Sequence, residues 1–208
     1  LVDIPKDISM DKAEFHYPTS VSIRGYNPTY DGSRWKIKQA ADAIMKAKRP
    51  ILYVGGGVVL SGASPEVKDL AELTQIPVDM TLMGLGAFPG NHPLSLGMLG
   101  MHGTYVANMA MHYSDLVIAV GARFDDRVTG KVSEFCPDAT IIHIDIDPTS
   151  IRKNIQVDIP IVGDCKRVLT ELNNILRATV NGNQKEQRKP WWDQLNAWRQ
   201  AHPLRYDQ

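Results

Sequence analysis

The sequence predicts an α/β fold built on a parallel sheet with helices on both faces. Three observations carry this. Short apolar runs recur along the chain, at 51–54, 77–80, 116–120, 140–144 and 159–162. Several are apolar at nearly every position, as strands covered on both faces are. Stretches with helix-like apolar spacing lie between them, and that alternation builds parallel sheets.

The elements follow in order. Residues 8–34 are mixed and polar, with Pro18, Gly25, Pro28 and Gly32, and read as an arm or linker lying on a neighbour. A helix begins near Trp35, carries Ile37, Ala41, Ile44 and Met45 at helical spacing, and ends before Pro50. The strand at 51–54 runs into Gly55-Gly56-Gly57, and a short connection over 58–63 leads to a helix opened by Ser64-Pro65-Glu66. A strand at 77–80 precedes a long loop, 81–102, rich in Gly and Pro; such loops are usually functional or disordered. A helix over 103–113, a strand at 116–120, a loop over 121–130 and a strand at 140–144 come next. A short helix after Pro148, a strand at 159–162 and a helix over 164–176 complete the series. Residues 179–190 read as a polar linker, and Pro190-Trp191-Trp192 as the start of a last helix. Its aromatic side, with Leu195 and Trp198, finds no obvious partner in this chain and reads as cover for another part of a longer protein.

Composition narrows the function classes. The length of 208 residues suits one domain with tails or two small ones. Lys plus Arg and Asp plus Glu both number 23, so no overall basic field favours nucleic acid or an anionic membrane. No apolar run has the length of a membrane span. Cys136 and Cys165 belong to no metal-spacing cluster, and two thiols make no disulfide framework, which points to a reducing compartment. The first residues lack a starting Met and a signal pattern, so the chain reads as an excised fragment.

Ligands of open parallel sheets bind beyond the carboxyl ends of the strands, and the distinctive segments here fall at those ends. Gly55-Gly56-Gly57 permits close approach of a ligand, or simply a tight turn. It is not a GxGxxG run, so the ordinary dinucleotide fingerprint is not met. The loop 121–130 places Arg123, Asp125, Asp126 and Arg127 after a buried strand. Its arginines suit bidentate phosphate contact, and a solvated ion-pair loop is the alternative. Asp145 stands where an acid accepts ribose hydroxyls, and Asp147, before Pro148, reads as a cap. Gly163-Asp164 serves an adenine or a helix cap equally well. His102 has no partnered nucleophile, and His143-x-Asp145 lacks further metal ligands.

Taken together, five runs resemble the large, catalytic subunits of the acetohydroxyacid (acetolactate) synthase family. They are 53–57, 81–86, 99–104, 123–130 (RFDDRVTG) and 143–147, in that order and across nearly the whole chain. The resemblance implies a Rossmann-like, doubly wound middle domain of a thiamin-diphosphate enzyme over 35–178. Residues 1–34 would then end the preceding domain and form an arm, and 179–208 would lead to a third domain. It implies FAD contacts at Gly55, Gly56, Gly57, Thr81, Leu82, Leu99, Met101, His102, Gly121, Arg123, Asp125, Arg127, Val128, Asp145, Ile146 and Asp164. Lys6, Met101, Asp126 and Arg127 match positions lining the family's substrate and inhibitor channel. The flavin would be structural, and thiamin diphosphate and Mg2+ would be held by domains outside the chain, leaving no catalytic residue here. The implied partners are pyruvate and 2-oxobutyrate, a second large subunit and a small regulatory subunit, in a bacterial-type cytoplasmic enzyme. A related flavin carboligase, a pyruvate oxidase and a non-catalytic nucleotide-binding module are the competing readings.

Overall fold

The computed structural model describes residues 3–205. Six strands, β1 (Pro50–Val54), β2 (Val78–Met80), β3 (Ser95–Met98), β4 (Leu116–Val120), β5 (Thr140–Asp145) and β6 (Ile159–Val162), form one all-parallel sheet in the order β3-β2-β1-β4-β5-β6. This is the expected doubly wound parallel sheet. The strand order reverses between β1 and β4, and a crevice opens at such a switch point because consecutive connections leave it in opposite directions.

The helices are α1 (Lys6–Met10), α2 (Arg34–Lys46), α3 (Gly56–Leu60), α4 (Ser64–Thr74), α5 (Tyr105–Tyr113), α6 (Asp126–Thr129), α7 (Cys165–Thr179) and α8 (Gln184–Ala201). Strand side chains alternate between two cores, as the two-residue period requires. Leu52, Val54, Ile118, Val120, Ile142 and Ile144 pack on one face with α2, α4 and α7. Ile51, Tyr53, Val117, Ala119 and Ile141 pack on the other with α5 and α8. Two-sided burial explains why β1 and β4 are apolar throughout.

Four expectations are corrected. The long loop over 81–102 is not continuous: a 3-10 turn (Leu82–Gly84) and the edge strand β3 lie within it. The connection over 58–63 is largely the helix α3, which starts inside the glycine triplet. Turns, with no helix, follow Pro148, and Asp147 organises them by accepting from the Thr149 N–H (2.9 Å) and hydroxyl (2.8 Å).

The fourth concerns the tail. The polar stretch before Pro190 is helical from Gln184, and its aromatic side is packed within this chain. Trp191 and Leu195 are buried, and the Trp191 indole N–H donates to the Pro50 carbonyl at 3.2 Å. The buried Arg188 donates to the Ile44 carbonyl at 2.8 Å and to that of Ala47. A guanidinium there satisfies the open carbonyls at the end of α2 and meets the negative end of its dipole.

Candidate functional site

Every sequence-predicted cofactor residue lies at the carboxyl end of a strand. Gly55, Gly56 and Gly57 follow β1, and Thr81 and Leu82 follow β2. Leu99, Met101 and His102 follow β3, and Gly121, Arg123, Asp125, Arg127 and Val128 follow β4. Asp145 ends β5, with Ile146 next, and Asp164 follows β6. A parallel sheet brings all these ends to one edge, so residues far apart in sequence share one surface. Asp126 opens α6 on that same edge. Lys6 lies apart on the exposed helix α1, and among the described residues no hydrogen bond or ion pair engages its side chain.

The glycines at the switch point serve chain packing. The Gly55 N–H donates to the Val120 carbonyl at 3.0 Å, and the Gly57 N–H to that of Gly121 at 2.9 Å. A Cβ on Gly55 would stand 2.2 Å from the Gly121 oxygen, and one on Gly57 would stand 2.7 Å from the Gly121 Cα. Gly121 itself has φ +54°, a backbone state that favours glycine. The β1 and β4 turns therefore interlock. Gly55 and Gly57 are required by this tight backbone crossing, and Gly56 faces Met83, where an added Cβ would stand 3.1 Å from the Met83 Cβ.

Further contacts fix the neighbouring loops. Thr81 donates its N–H to the Val54 carbonyl (2.9 Å), and its hydroxyl accepts from the Gly84 N–H (2.9 Å). The Met101 N–H donates to the Arg127 carbonyl at 2.9 Å, joining the β3 and β4 loops. The Asp164 carboxylate accepts from the Arg167 N–H at 3.1 Å and caps α7, which settles the cap half of its reading. His102 sits in a turn, and the helix it was expected to open starts later, after the Thr104 cap.

Two positioning residues were missed. Asn108 on α5 accepts from the Gly100 N–H (2.8 Å) and donates to the Gly100 carbonyl (3.1 Å), pinning the 99–103 loop. Asn154 donates to the Phe124 carbonyl and ties the post-β5 turns to the post-β4 loop. Neither offers a sequence signal, because each acts on a backbone distant in sequence. His143, buried, has its Nε2 2.9 Å from the Ala122 carbonyl, so it also braces that loop. Burial holds its pKa below the ordinary 6.5, against the pull of Asp145, so the ring is neutral at pH 7 and donates from Nε2.

The chemical character of the edge suits a flat, anionic ligand. Leu82, Met83 and Met101 are exposed (70%, 75% and 64%), with Ile146 beside them in the series of strand ends. Apolar groups so exposed on a ligand-binding edge mark a surface that something covers. Arg123 and Arg127 are exposed and, among the described residues, enter no ion pair with Asp125 or Asp126. The ion-pair-loop alternative therefore finds no support in the geometry; the Arg127 Nη1 lies 3.9 Å from the Met101 sulfur, a weak contact, and neither guanidinium is neutralised by a carboxylate. The Asp125 Oδ1 is buried without a partner, an acceptor left open toward a donor. Among the described residues no helix is long and apolar enough to cross a membrane.

Residues 37–172 match the family model described as thiamine pyrophosphate enzyme, central domain. Over its whole length the chain is 47% identical to the acetolactate synthase isozyme 3 large subunit of Escherichia coli (strain K12), covering 36% of that protein. It is 49% identical, again over its whole length, to the acetolactate synthase large subunit of Buchnera aphidicola subsp. Schizaphis graminum, covering 36% of it. Over 99% of its length it is 50% identical to acetolactate synthase of Mycobacterium leprae, covering 33%. The likeness read from the motifs is the likeness found, and the chain spans about a third of the length of these relatives.

Proposed function

Because the chain belongs to the thiamine pyrophosphate enzyme family, whose central domain it carries, we propose that it is the FAD-binding middle domain of an acetolactate synthase large subunit. The observation that carries this reading is the convergence of six strand ends on one edge that combines exposed apolar side chains with guanidinium groups that, among the described residues, enter no ion pair. FAD needs both, since its ring system is flat and largely apolar and its diphosphate is doubly charged. In this reading Arg123 and Arg127 meet charge, Asp145 accepts ribose hydroxyls, and Leu82, Met101 and Ile146 pack on ring faces. Bound there, FAD supplies a rigid plate and a diphosphate that tie the strand-end loops together. Arg127, Asp126, Met101 and Lys6 would face the substrate channel.

The proposed activity of the whole protein is the condensation of two pyruvates, or of pyruvate with 2-oxobutyrate, with loss of carbon dioxide. Thiamin diphosphate and Mg2+ would be held by other domains, as would the acid–base groups of the reaction. A second large subunit and a small regulatory subunit are the proposed protein partners, in the cytoplasm. The likeness to acetolactate synthases over all or nearly all of the chain supports this reading. The test is the full-length protein incubated with pyruvate, thiamin diphosphate, Mg2+ and FAD. Acetolactate forming without matching oxygen uptake is the expected result. Oxygen consumed in step with pyruvate would instead assign the chain to an oxidase. The 208-residue chain alone should form no acetolactate.

A further inference from the structure

The glycine triplet leaves the phosphate problem open. Phosphate-binding glycine loops work through free backbone N–H groups. Here the Gly55 and Gly57 N–H groups are spent on the Val120 and Gly121 carbonyls. The Gly56 N–H, at the start of α3, enters no hydrogen bond among the described residues, and one N–H supplies a single contact, so a doubly charged group at this edge also calls for side chains.

A cleft of 550 Å³ lies between the post-β4 loop and the turns after β5. Arg123, Arg152 and Lys153 line it, with Asp125, Asp126 and Asn154. All three cationic side chains belong to exposed residues, and among the described residues none enters an ion pair. Arg152 is held in place: its Nε donates to the Val157 carbonyl at 3.0 Å, and its backbone has φ +62°. A non-glycine residue in that state is maintained by its surroundings, at a cost of order 1 kcal/mol. With Nε committed, its two terminal nitrogens remain for a ligand. Asn154 donates to the Phe124 carbonyl, so the two walls of the cleft are tied together.

We propose that this cleft binds a phosphate or diphosphate group, with Arg152 and Lys153 acting beside Arg123. The inference rests on the reading that this edge of the sheet is the ligand edge. It gives the turns after β5 a share in anion binding beside Arg123 of the RFDDRVTG loop. Two guanidinium groups and an ammonium on opposite walls suit a tetrahedral, multiply charged oxyanion better than a single carboxylate. Such a group is supplied either by the diphosphate of FAD or by a separate phosphorylated ligand.

The test titrates inorganic pyrophosphate into the flavin-free, full-length protein by calorimetry. The Arg152→Gln/Lys153→Gln double variant should bind it about tenfold or more weakly, since two charge-assisted contacts are lost. The Arg152→Lys/Lys153→Arg variant keeps both charges but loses the Arg152 Nε contact to Val157, so it should bind more weakly than the wild type and more tightly than the double glutamine variant, and its melting shows whether the turn still folds. Pyrophosphate lost on saturation with FAD would identify the cofactor's diphosphate as the source. Pyrophosphate still bound to the FAD-loaded protein, with the same dependence on Arg152 and Lys153, would identify a separate ligand. Equal affinity of the double variant and the wild type, or no saturable binding, would overturn the proposal. A wild type that binds pyrophosphate but not FAD would leave this site standing and remove the flavin reading.

Discussion

Replacing Gly55 with alanine tests the interlock on which the site is built. The new Cβ would stand 2.2 Å from the Gly121 carbonyl oxygen, 2.5 Å from the Ala122 Cα and 2.8 Å from the Ala122 Cβ. Comfortable contact between such atoms is about 3.5 Å, so one turn must retreat by about 1 Å. The atoms in the way are mostly backbone, and they are held by the hydrogen bonds Gly55 N–H to Val120 (3.0 Å) and Gly57 N–H to Gly121 (2.9 Å). Forced overpacking costs about 1–3 kcal/mol, and each strained hydrogen bond adds up to about 1 kcal/mol. An expected loss of about 3 kcal/mol lowers Tm by roughly 6–12 °C for a chain of this size. The displacement also shifts Arg123, two residues beyond Gly121, so FAD affinity should fall with stability. Gly90→Ala is the control, because a Cβ there meets nothing within 4 Å and its φ is not positive. Both variants are measured by calorimetric melting. A Gly55→Ala protein melting within about 1 °C of Gly90→Ala would refute the interlock.

Three further outcomes are expected. Asp79 is fully buried with neither carboxylate oxygen partnered, and burial pushes its pKa well above 3.8, against the pull of Arg199. The native state then holds a proton that the unfolded chain releases, so the stability it contributes is present below pH 3.8 and is lost as pH rises toward the folded pKa. Urea midpoints from pH 4 to 8 should fall for the wild type relative to Asp79→Asn; parallel curves would contradict this. Burial pushes the Cys136 and Cys165 thiols up to about 12, so a thiol reagent at pH 8 should label neither until the protein unfolds, and fast labelling of either in the native state would contradict their packing. Trp191→Ala should cost about 3–5 kcal/mol by denaturant titration, and a cost below about 1 kcal/mol would mean that α8 is not part of the folded unit.

How far the sequence could be read depended on which residues carried the burial. β1 and β4 were legible because both faces of each are covered, which leaves a continuous apolar run. β3 was not legible: it is a four-residue edge strand with Ser95 and a Gly97 at φ +90°, so neither period nor propensity marks it. α8 was misread because its first turns bury the polar residues Gln184 and Arg188, and the partners of Arg188 are backbone carbonyls far away in sequence. Pro190 then looked like a helix start when it is an interior residue. The candidate site was legible as strand ends, since topology alone sends them to one edge. The crossing of Gly55 and Gly57 with Gly121, and the loop anchors Asn108 and Asn154, depend on distances between loops that no local pattern encodes.

FAD binding to this domain is tested by calorimetric titration of FAD into the 208-residue chain and into its Arg123→Ala variant. The expected result is stoichiometric, saturable binding with a flavin spectrum altered on complex formation, and affinity reduced about tenfold or more in Arg123→Ala, from loss of a charge-assisted contact worth about 1.5–3 kcal/mol. Absence of FAD binding by a folded chain, or equal dissociation constants for the two proteins, would contradict it.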